Sequence, residues 1–311
     1  MSSTSPPIPP LELSALEYEL WQALIQQRCG LFFSESRLRL LRQSLWERLR
    51  LHHMRSYGEY YNYVLFHPGG DREWKVLLEL LLNHETSFFR HQPSYHALVT
   101  HVLPALLGEP KRARTLCMWS AGCATGQEAY SLAMTFLESQ RTQAQDFHVK
   151  VLGSDISQQA LAKARCGQYK RHELRQLPDY YRQQYFTVMY DESTVMYEVN
   201  ARVRALVEFR YINLCDPTTF PLPPLPGLHG LVGGMDVIFC QNVLIYFSRE
   251  SRVEIVQRLC QHLRVGGYLL LGPAEVVGLQ LPGVQSVRLA DALIYRRVAP
   301  TDLTGTVSSL A

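Results

Sequence analysis

The feature that most constrains this chain is an alternation that begins after Pro104. Short apolar runs at 116–119, 149–153, 207–212, 236–240 and 268–271 are separated by stretches with helical spacing. Runs of that length bounded by turn residues read as buried strands, and the longer periodic stretches read as crossover helices. A chain that alternates in this way folds as an α/β domain, a parallel sheet with helices on both faces. The first strand runs into a Gly-containing loop and a helix through Phe136. Ser157 is placed to cap a helix that ends at Gly167. A further helix from about Ser248 to Arg264 is expected to stop at Gly266-Gly267. The segments 284–289 and 293–297 read as an antiparallel pair at the end of the sheet.

The residues before this alternation are different. From Leu11 to about Leu82 the spacing is helical throughout, with Leu13, Leu16, Leu20 and Leu24 on one pattern and Leu38, Leu41, Leu45 and Leu49 on another. Segments 57–65 and 74–82 read as further helices around the turn His67-Pro68-Gly69-Gly70. The expected organisation is therefore a disordered Ser/Pro-rich stretch at 1–10, a small all-helical domain at 11–85, a linker at 86–104, the wound domain at 105–298 and a disordered tail at 299–311. Two insertions interrupt the wound domain. Residues 180–205, rich in Tyr, Val and Thr, predict a small antiparallel β-subdomain. Residues 221–234, rich in Pro and Gly, predict a surface loop.

Composition excludes several classes. A formal charge of +3 is too small to imply nucleic acid. The seven cysteines include no Cys-x-x-Cys pair, which argues against a zinc site or a disulfide framework and for buried thiols in a reducing compartment. The N-terminal residues lack the pattern of a secretory signal, and no apolar run reaches membrane-spanning length. A cytoplasmic protein with no metal and no direct membrane insertion is expected, most simply a monomer.

Candidate chemistry gathers at predicted strand ends, where an open parallel sheet binds its ligands. Gly122 and Gly126 lie between the first strand and its helix, where backbone N–H groups can face a ligand. The loop is not Gly-x-Gly-x-x-Gly and carries no Lys-Ser/Thr, so a phosphate cradle is not expected. Glu128 beside the turn would repel a pyrophosphate and suits a cofactor with a cationic end. Asp155, closing the second strand, can accept the hydroxyls of a ribose. Asn213-Leu214 and Gln241-Asn242 follow the third and fourth strands, where amides and exposed backbone can read an adenine ring or hold an amino-acid end. Thr86-Ser87-Phe88-Phe89-Arg90 stands at the junction of the two domains.

These segments together resemble the CheR-type chemotaxis receptor methyltransferases of bacteria. The family pattern Asn-x-Thr-x-Phe-Phe-Arg is similar to residues 84–90, and Gly-Cys-Ser-Thr-Gly-Glu-Glu-Pro-Tyr-Ser is similar to residues 122–131. Ser-Asp-Ile with a Lys-Ala-Arg-x-Gly-x-Tyr helix end is similar to residues 154–156 and 163–169. Phe-Cys-Arg-Asn-Val-x-Ile-Tyr-Phe is similar to residues 239–247. The sequence departs from the family at His84, Gln127, Ala129 and Gln241.

The resemblance implies a class I S-adenosylmethionine-dependent methyltransferase domain, Rossmann-like, with a seven-stranded sheet ending in an antiparallel hairpin. It implies cofactor contacts at His84, Thr86, Arg90, Gly122, Glu128, Asp155, Asn213, Leu214, Gln241 and Asn242, and catalytic roles for Arg90 and Tyr246. The implied substrates are glutamate side chains on the cytoplasmic helices of methyl-accepting chemotaxis receptors, with S-adenosylhomocysteine as co-product. Arg37, Arg42, Arg48, Arg50 and Arg55 crowd one predicted helical region, opposed locally by Glu35 and Glu47. A basic face there would steer an acidic receptor helix. The alternatives are methylation of another carboxylate on the same fold, or a catalytically silent adaptor.

Overall fold

The computed structural model describes residues 11–109, 115–141, 147–191, 194–219, 234–275, 283–289 and 292–299. The expectations for 1–10, for all but Gly234 of the Pro-rich loop, and for nearly all of the C-terminal tail lie outside these residues. The chain divides into two compact units, Met1–Asn83 and His84–Ala311.

The first unit is helical, as expected: α1 (Ala15–Cys29), α2 (Leu38–Leu51), α3 (Tyr57–Phe66) and α4 (Gly70–Leu81). Ser14 and Glu17 form a reciprocal cap at the start of α1, and left-handed Gly30 ends it. Its buried face differs from the leucine spacing. Trp21, Leu24 and Ile25 are inside, whereas Leu16 is 67% exposed and Leu20 40%. The helix is apolar on more than one side, and the larger Trp21, stacked on Tyr60 at 5.2 Å, takes the core. In α2 the expected stripe holds, with Leu41, Leu45 and Leu49 all buried.

The second unit begins at His84 with a non-helical stretch over 84–91, and a continuous helical run follows where the rest of the expected linker, 92–104, would lie. The run consists of α5 (Gln92–Ala97), a π turn over Leu98–Val102, and α6 (Leu103–Leu107). Leu98, Val102, Leu103 and Leu106 are fully or almost fully buried in the core of this unit. Pro104 does not break the run, because it sits in the first turn after the π turn, where its missing N–H costs little.

There follow β1 (Thr115–Ala121), α7 (Gln127–Gln140), β2 (His148–Asp155), α8 (Gln158–Cys166), β3 (Gln168–Lys170), α9 (Asp179–Tyr185), β4 (Phe186–Asp191), β5 (Thr194–Val199), α10 (Ala201–Arg204), β6 (Val207–Tyr211), β7 (Met235–Cys240), α11 (Arg249–His262), β8 (Leu263–Leu271), β9 (Val284–Arg288) and β10 (Leu293–Arg297). The large sheet has the order β6-β2-β1-β7-β8-β10-β9. Its first five strands are parallel and β10 runs antiparallel between β8 and β9. One apolar cluster covers each face. From β1 the chain winds outward through β2 to β6, then returns to place β7 on the other side of β1. The loops after β1, β2 and β7 therefore surround the topological switch point, the place where such sheets bind ligands.

Two boundaries differ from the sequence reading. Strand β8 starts at Leu263, and Gly266-Gly267 lie inside it rather than ending α11. Gly266 has φ +81°, and the pairing of β7 with β8 shifts register beside it. These glycines thus make a strand irregularity rather than a helix stop. The β insertion also begins earlier than Tyr180. Its sheet, ordered β3-β5-β4, recruits the three residues of β3, whose Tyr169 is fully buried. Helix α8 is bounded as expected by Ser157, which accepts from the Ala160 N–H, and by left-handed Gly167.

Candidate functional site

Among the described residues, four other than glycine have positive φ, and three of these lie in the motif loops of the second unit: Phe89 (+52°), Ala124 (+47°) and Asn242 (+60°). A side chain makes this conformation costly, by roughly 1–3 kcal/mol each, so something must hold it. In each case a side chain distant in sequence does so by accepting the residue's own backbone N–H. The acceptors are Ser131 Oγ for Phe89 (3.1 Å), Asp155 Oδ2 for Ala124 (2.9 Å) and Glu275 Oε2 for Asn242 (3.0 Å).

The loop after β1 is built by packing as much as by hydrogen bonds. The Gly122 and Cys123 N–H groups both donate to the Ser154 carbonyl at 2.8 Å, joining the ends of β1 and β2. A Cβ on Gly122 would lie 2.4 Å from Val243, and one on Gly126 would lie 2.8 Å from the Ala164 methyl. Both glycines also have positive φ. Their absent side chains let the loops close on one another and on α8, as well as leaving backbone exposed. Asp155 uses its second oxygen to accept the Ser157 N–H at 2.9 Å. Each carboxylate oxygen has a further lone pair, so this capping does not prevent it from accepting a ribose hydroxyl.

Glu128, in the first turn of α7, accepts from Ser120 Oγ at 2.7 Å. Burial pushes its carboxyl up to about 7, the nearby Glu275 adds to the shift, and the Ser120 hydrogen bond and Arg90 oppose it. A carboxylate so held is poorly compensated, and an ammonium group beside it would restore the balance. These groups therefore fit a cofactor with a cationic amino-acid end and a ribose: Glu128 is a carboxylate short of a cation, and Asp155 is able to accept ribose hydroxyls.

Arg90 follows the strained Phe89 and is exposed. Its Nη1 donates to the Glu85 carbonyl at 2.8 Å, which fixes the side chain while engaging one of its five donors. The Phe89 ring packs against Tyr95 at 5.0 Å and Tyr181 at 4.7 Å. Thr86 and His84 precede it and are partly buried. Asn213 is 6% exposed and its side-chain oxygen accepts the Cys215 N–H at 3.1 Å, a turn-forming bond. The Leu214 carbonyl accepts from Arg258 at 2.8 Å. Tyr246 is partly buried in the short 3-10 turn after Val243.

Gln241, expected at the cofactor, is engaged with α5. It is buried, and its amide donates at 2.6 Å to Ser94 Oγ, which lies 2.8 Å from His91 Nδ1. Its observed bond ties the end of β7 to α5. Sequence reasoning passed over Glu275, which lies just past the carboxyl end of β8 and is 2% exposed. A carboxylate at the end of a parallel strand was the available signal, hidden within Gly-Pro-Ala-Glu.

The arginines of the first unit are not equally available to a partner. Arg48 is locked to buried Glu73 by two bonds, at 2.7 and 2.8 Å, and Glu73 also accepts from Tyr60 (2.7 Å) and lies 2.8 Å from His52. Glu73 comes from a different helix, α4, so the sequence around Arg48 does not reveal it. Arg37 lies over the Phe33 ring at 4.6 Å. Arg42, Arg50 and Arg55 are exposed.

Among the described residues no helix is long and apolar enough to cross a membrane, and no group of three or more His, Cys, Asp or Glu residues could hold a metal ion. All seven cysteines are thiols, and five of them are buried.

Comparison with known proteins agrees with this geometry. The family model described as "CheR methyltransferase, SAM binding domain" matches residues 84–291, and "CheR methyltransferase, all-alpha domain" matches 16–82. The chain is 30% identical over 283 residues to chemotaxis protein methyltransferase 1 of Pseudomonas aeruginosa, covering 90% of this chain and 97% of that one. It is 32% identical over 254 residues to a probable chemotaxis protein methyltransferase of Rhizobium etli, covering 82% and 90%. A chemotaxis protein methyltransferase of Vibrio parahaemolyticus is 30% identical over 289 residues, covering 92% and 98%. With both domains matched in order, and the wound sheet carrying the motif loops at its switch point, the chain belongs to the CheR family of S-adenosylmethionine-dependent methyltransferases.

Proposed function

We propose that the protein methylates glutamate side chains on the cytoplasmic helices of chemotaxis receptors, giving glutamate methyl esters and S-adenosylhomocysteine. The observation that carries this reading is Arg90. It is an exposed guanidinium held by a strained turn and near enough to Glu128 to act on its charge. The names of the relatives support the choice of receptors as substrates.

S-adenosylmethionine supplies an electrophilic methyl group on a sulfonium. A receptor glutamate is already ionised at neutral pH, so the protein need not provide a general base. Its task is to bind and to orient. Glu128 takes the ammonium group, Asp155 the ribose hydroxyls, and the loops at Asn213-Leu214 and Asn242, with His84 and Thr86, enclose the remainder. The Gly122 backbone would line the same site. Arg90, with Tyr246 beside it, positions the attacking carboxylate. Orientation of this kind can supply roughly 7–11 kcal/mol of a barrier. Arg90 must do this without binding the carboxylate too tightly, since excess stabilisation of the nucleophile slows attack. In the first unit, exposed Arg42, Arg50 and Arg55 face the acidic receptor helix, while Arg48 serves the fold.

The test is transfer of labelled methyl from S-adenosylmethionine to purified receptor cytoplasmic domain, followed by mild base. Label released by base is an ester. Base-stable label, or no transfer, refutes the reading. In single-turnover experiments at saturating cofactor, Arg90→Ala should lose the chemical step, and unchanged turnover would remove Arg90 from the mechanism.

A further inference from the structure

One buried carboxylate of the second unit, ligated by four backbone N–H groups, belongs to a residue with no place in the chemistry above. Glu275 Oε1 accepts from the N–H groups of Val243 (2.7 Å) and Leu244 (2.6 Å). Its Oε2 accepts from Asn242 (3.0 Å) and Gly272 (2.8 Å). Burial pushes its carboxyl upward, against the pull of these four donors, so the site is costly to charge and strongly ligated when charged. Three of the donors are consecutive residues of the loop after β7. The first of them, Asn242, has φ +60°, and the second, Val243, fills the space over Gly122 left by its absent side chain. Gly272 is without a side chain for the same reason, since a Cβ there would meet Glu275 Oε2 at 2.5 Å.

We propose that Glu275 is a positioning residue for the cofactor site. It acts through the loop 242–244, holding Asn242 in its left-handed conformation and pressing Val243 onto Gly122, so that the loops after β1 and β7 set each other's shape. The inference rests on the reading of these loops as the cofactor site. A neutral amide cannot replace the carboxylate, because its NH2 group would face two of the backbone donors. Leaving buried N–H groups without acceptors costs enough to displace the loop.

The experiment measures S-adenosylhomocysteine binding by calorimetry for wild type, Glu275→Gln and Gly272→Ala, at a temperature well below each variant's Tm. Gly272→Ala displaces the carboxylate sterically and leaves its charge, so it also serves if Glu275→Gln does not fold. Both variants should bind on the order of tenfold more weakly or worse. A purely structural residue would lower Tm and leave the affinity of folded protein unchanged. A double-mutant cycle with Val243→Ala supplies a second readout. Val243→Ala should weaken binding in wild type and have a much smaller effect in Glu275→Gln, because the contact with Gly122 is already lost. Wild-type affinity in the folded variants, or additive effects in the cycle, overturns the proposal. Absence of binding to wild type would instead overturn the cofactor-site reading on which it rests.

Discussion

Cofactor affinity should depend on pH through Glu128. In the protein without cofactor this carboxyl is pushed up to about 7, chiefly by burial, with Glu275 adding to the shift. An ammonium group beside Glu128 binds best to the ionised form, so binding must drive the proton off. The apparent dissociation constant then scales as 1 + 10^(7 − pH). Relative to the alkaline limit, affinity falls about twofold at pH 7 and about elevenfold at pH 6. Calorimetry at pH 6 in buffers of different ionisation enthalpy should register release of about 0.9 proton per cofactor bound. Glu128→Gln should bind weakly at every pH and lose this linkage, which identifies Glu128 as its source. The same shift has a consequence for stability. A carboxyl whose folded pKa is raised costs the folded state nothing below its unfolded value near 4.5. The cost then grows as pH rises toward 7, to a limit of about 3 kcal/mol before allowance for partial exposure. Glu128→Gln should therefore raise Tm near pH 8 and leave it unchanged near pH 4. Affinity that does not vary between pH 6 and 8, or proton uptake on binding, would refute the reasoning.

The other predictions concern the two units separately. Arg48→Ala removes the bidentate partner of buried Glu73 and should cost roughly 3–5 kcal/mol, whereas Arg50→Ala on the exposed side of α2 should cost under about 0.5 kcal/mol. Chemical denaturation of the two variants compares them directly. Glu73 is held down at about 2, the usual direction for a paired carboxylate. Its contribution is complete above the unfolded value near 4.5 and is lost as pH falls toward 2, so acid should erase the difference between Arg48→Ala and wild type. Receptor binding should weaken with added salt and with the double substitution Arg42→Glu, Arg50→Glu, with little change in cofactor affinity. Salt-independent binding would count against that surface. Gly122→Ala should abolish cofactor binding, and adding Val243→Ala should restore only part of it, since space returns but the positive φ does not.

The sheet was legible because buried parallel strands are short, apolar and separated by capped helices. Ser157 and Gly167 marked both ends of α8, and both act there as expected. Boundaries failed where a residue type has two uses. Pro104 ends many helices but begins the last turns of this one, and Gly266-Gly267 distort a strand where a helix stop was expected. Residues within one motif were easy to find. Those that support them from elsewhere were not, because hydrogen bonds such as Asn242–Glu275 or Phe89–Ser131 join positions 33 and 42 residues apart. The basic cluster misled for a related reason. Acidic residues near Arg48 in the chain are sparse, and its true partner, Glu73, is 25 residues away on another helix. Gln241 is a further case, since its amide bonds to Ser94, 147 residues earlier in the chain.

The three left-handed residues also govern what can be transplanted. A segment covering 239–247 carries the visible motif, yet the acceptor that fixes Asn242 lies outside it, on Glu275. The same holds for Phe89 with Ser131 and for Ala124 with Asp155. A chimera that imports a motif loop without its distant acceptor imports the sequence and leaves the backbone shape behind. The smallest exchangeable module of this site is therefore a loop together with its acceptor, and boundaries for such chimeras are better drawn through hydrogen bonds than through alignments.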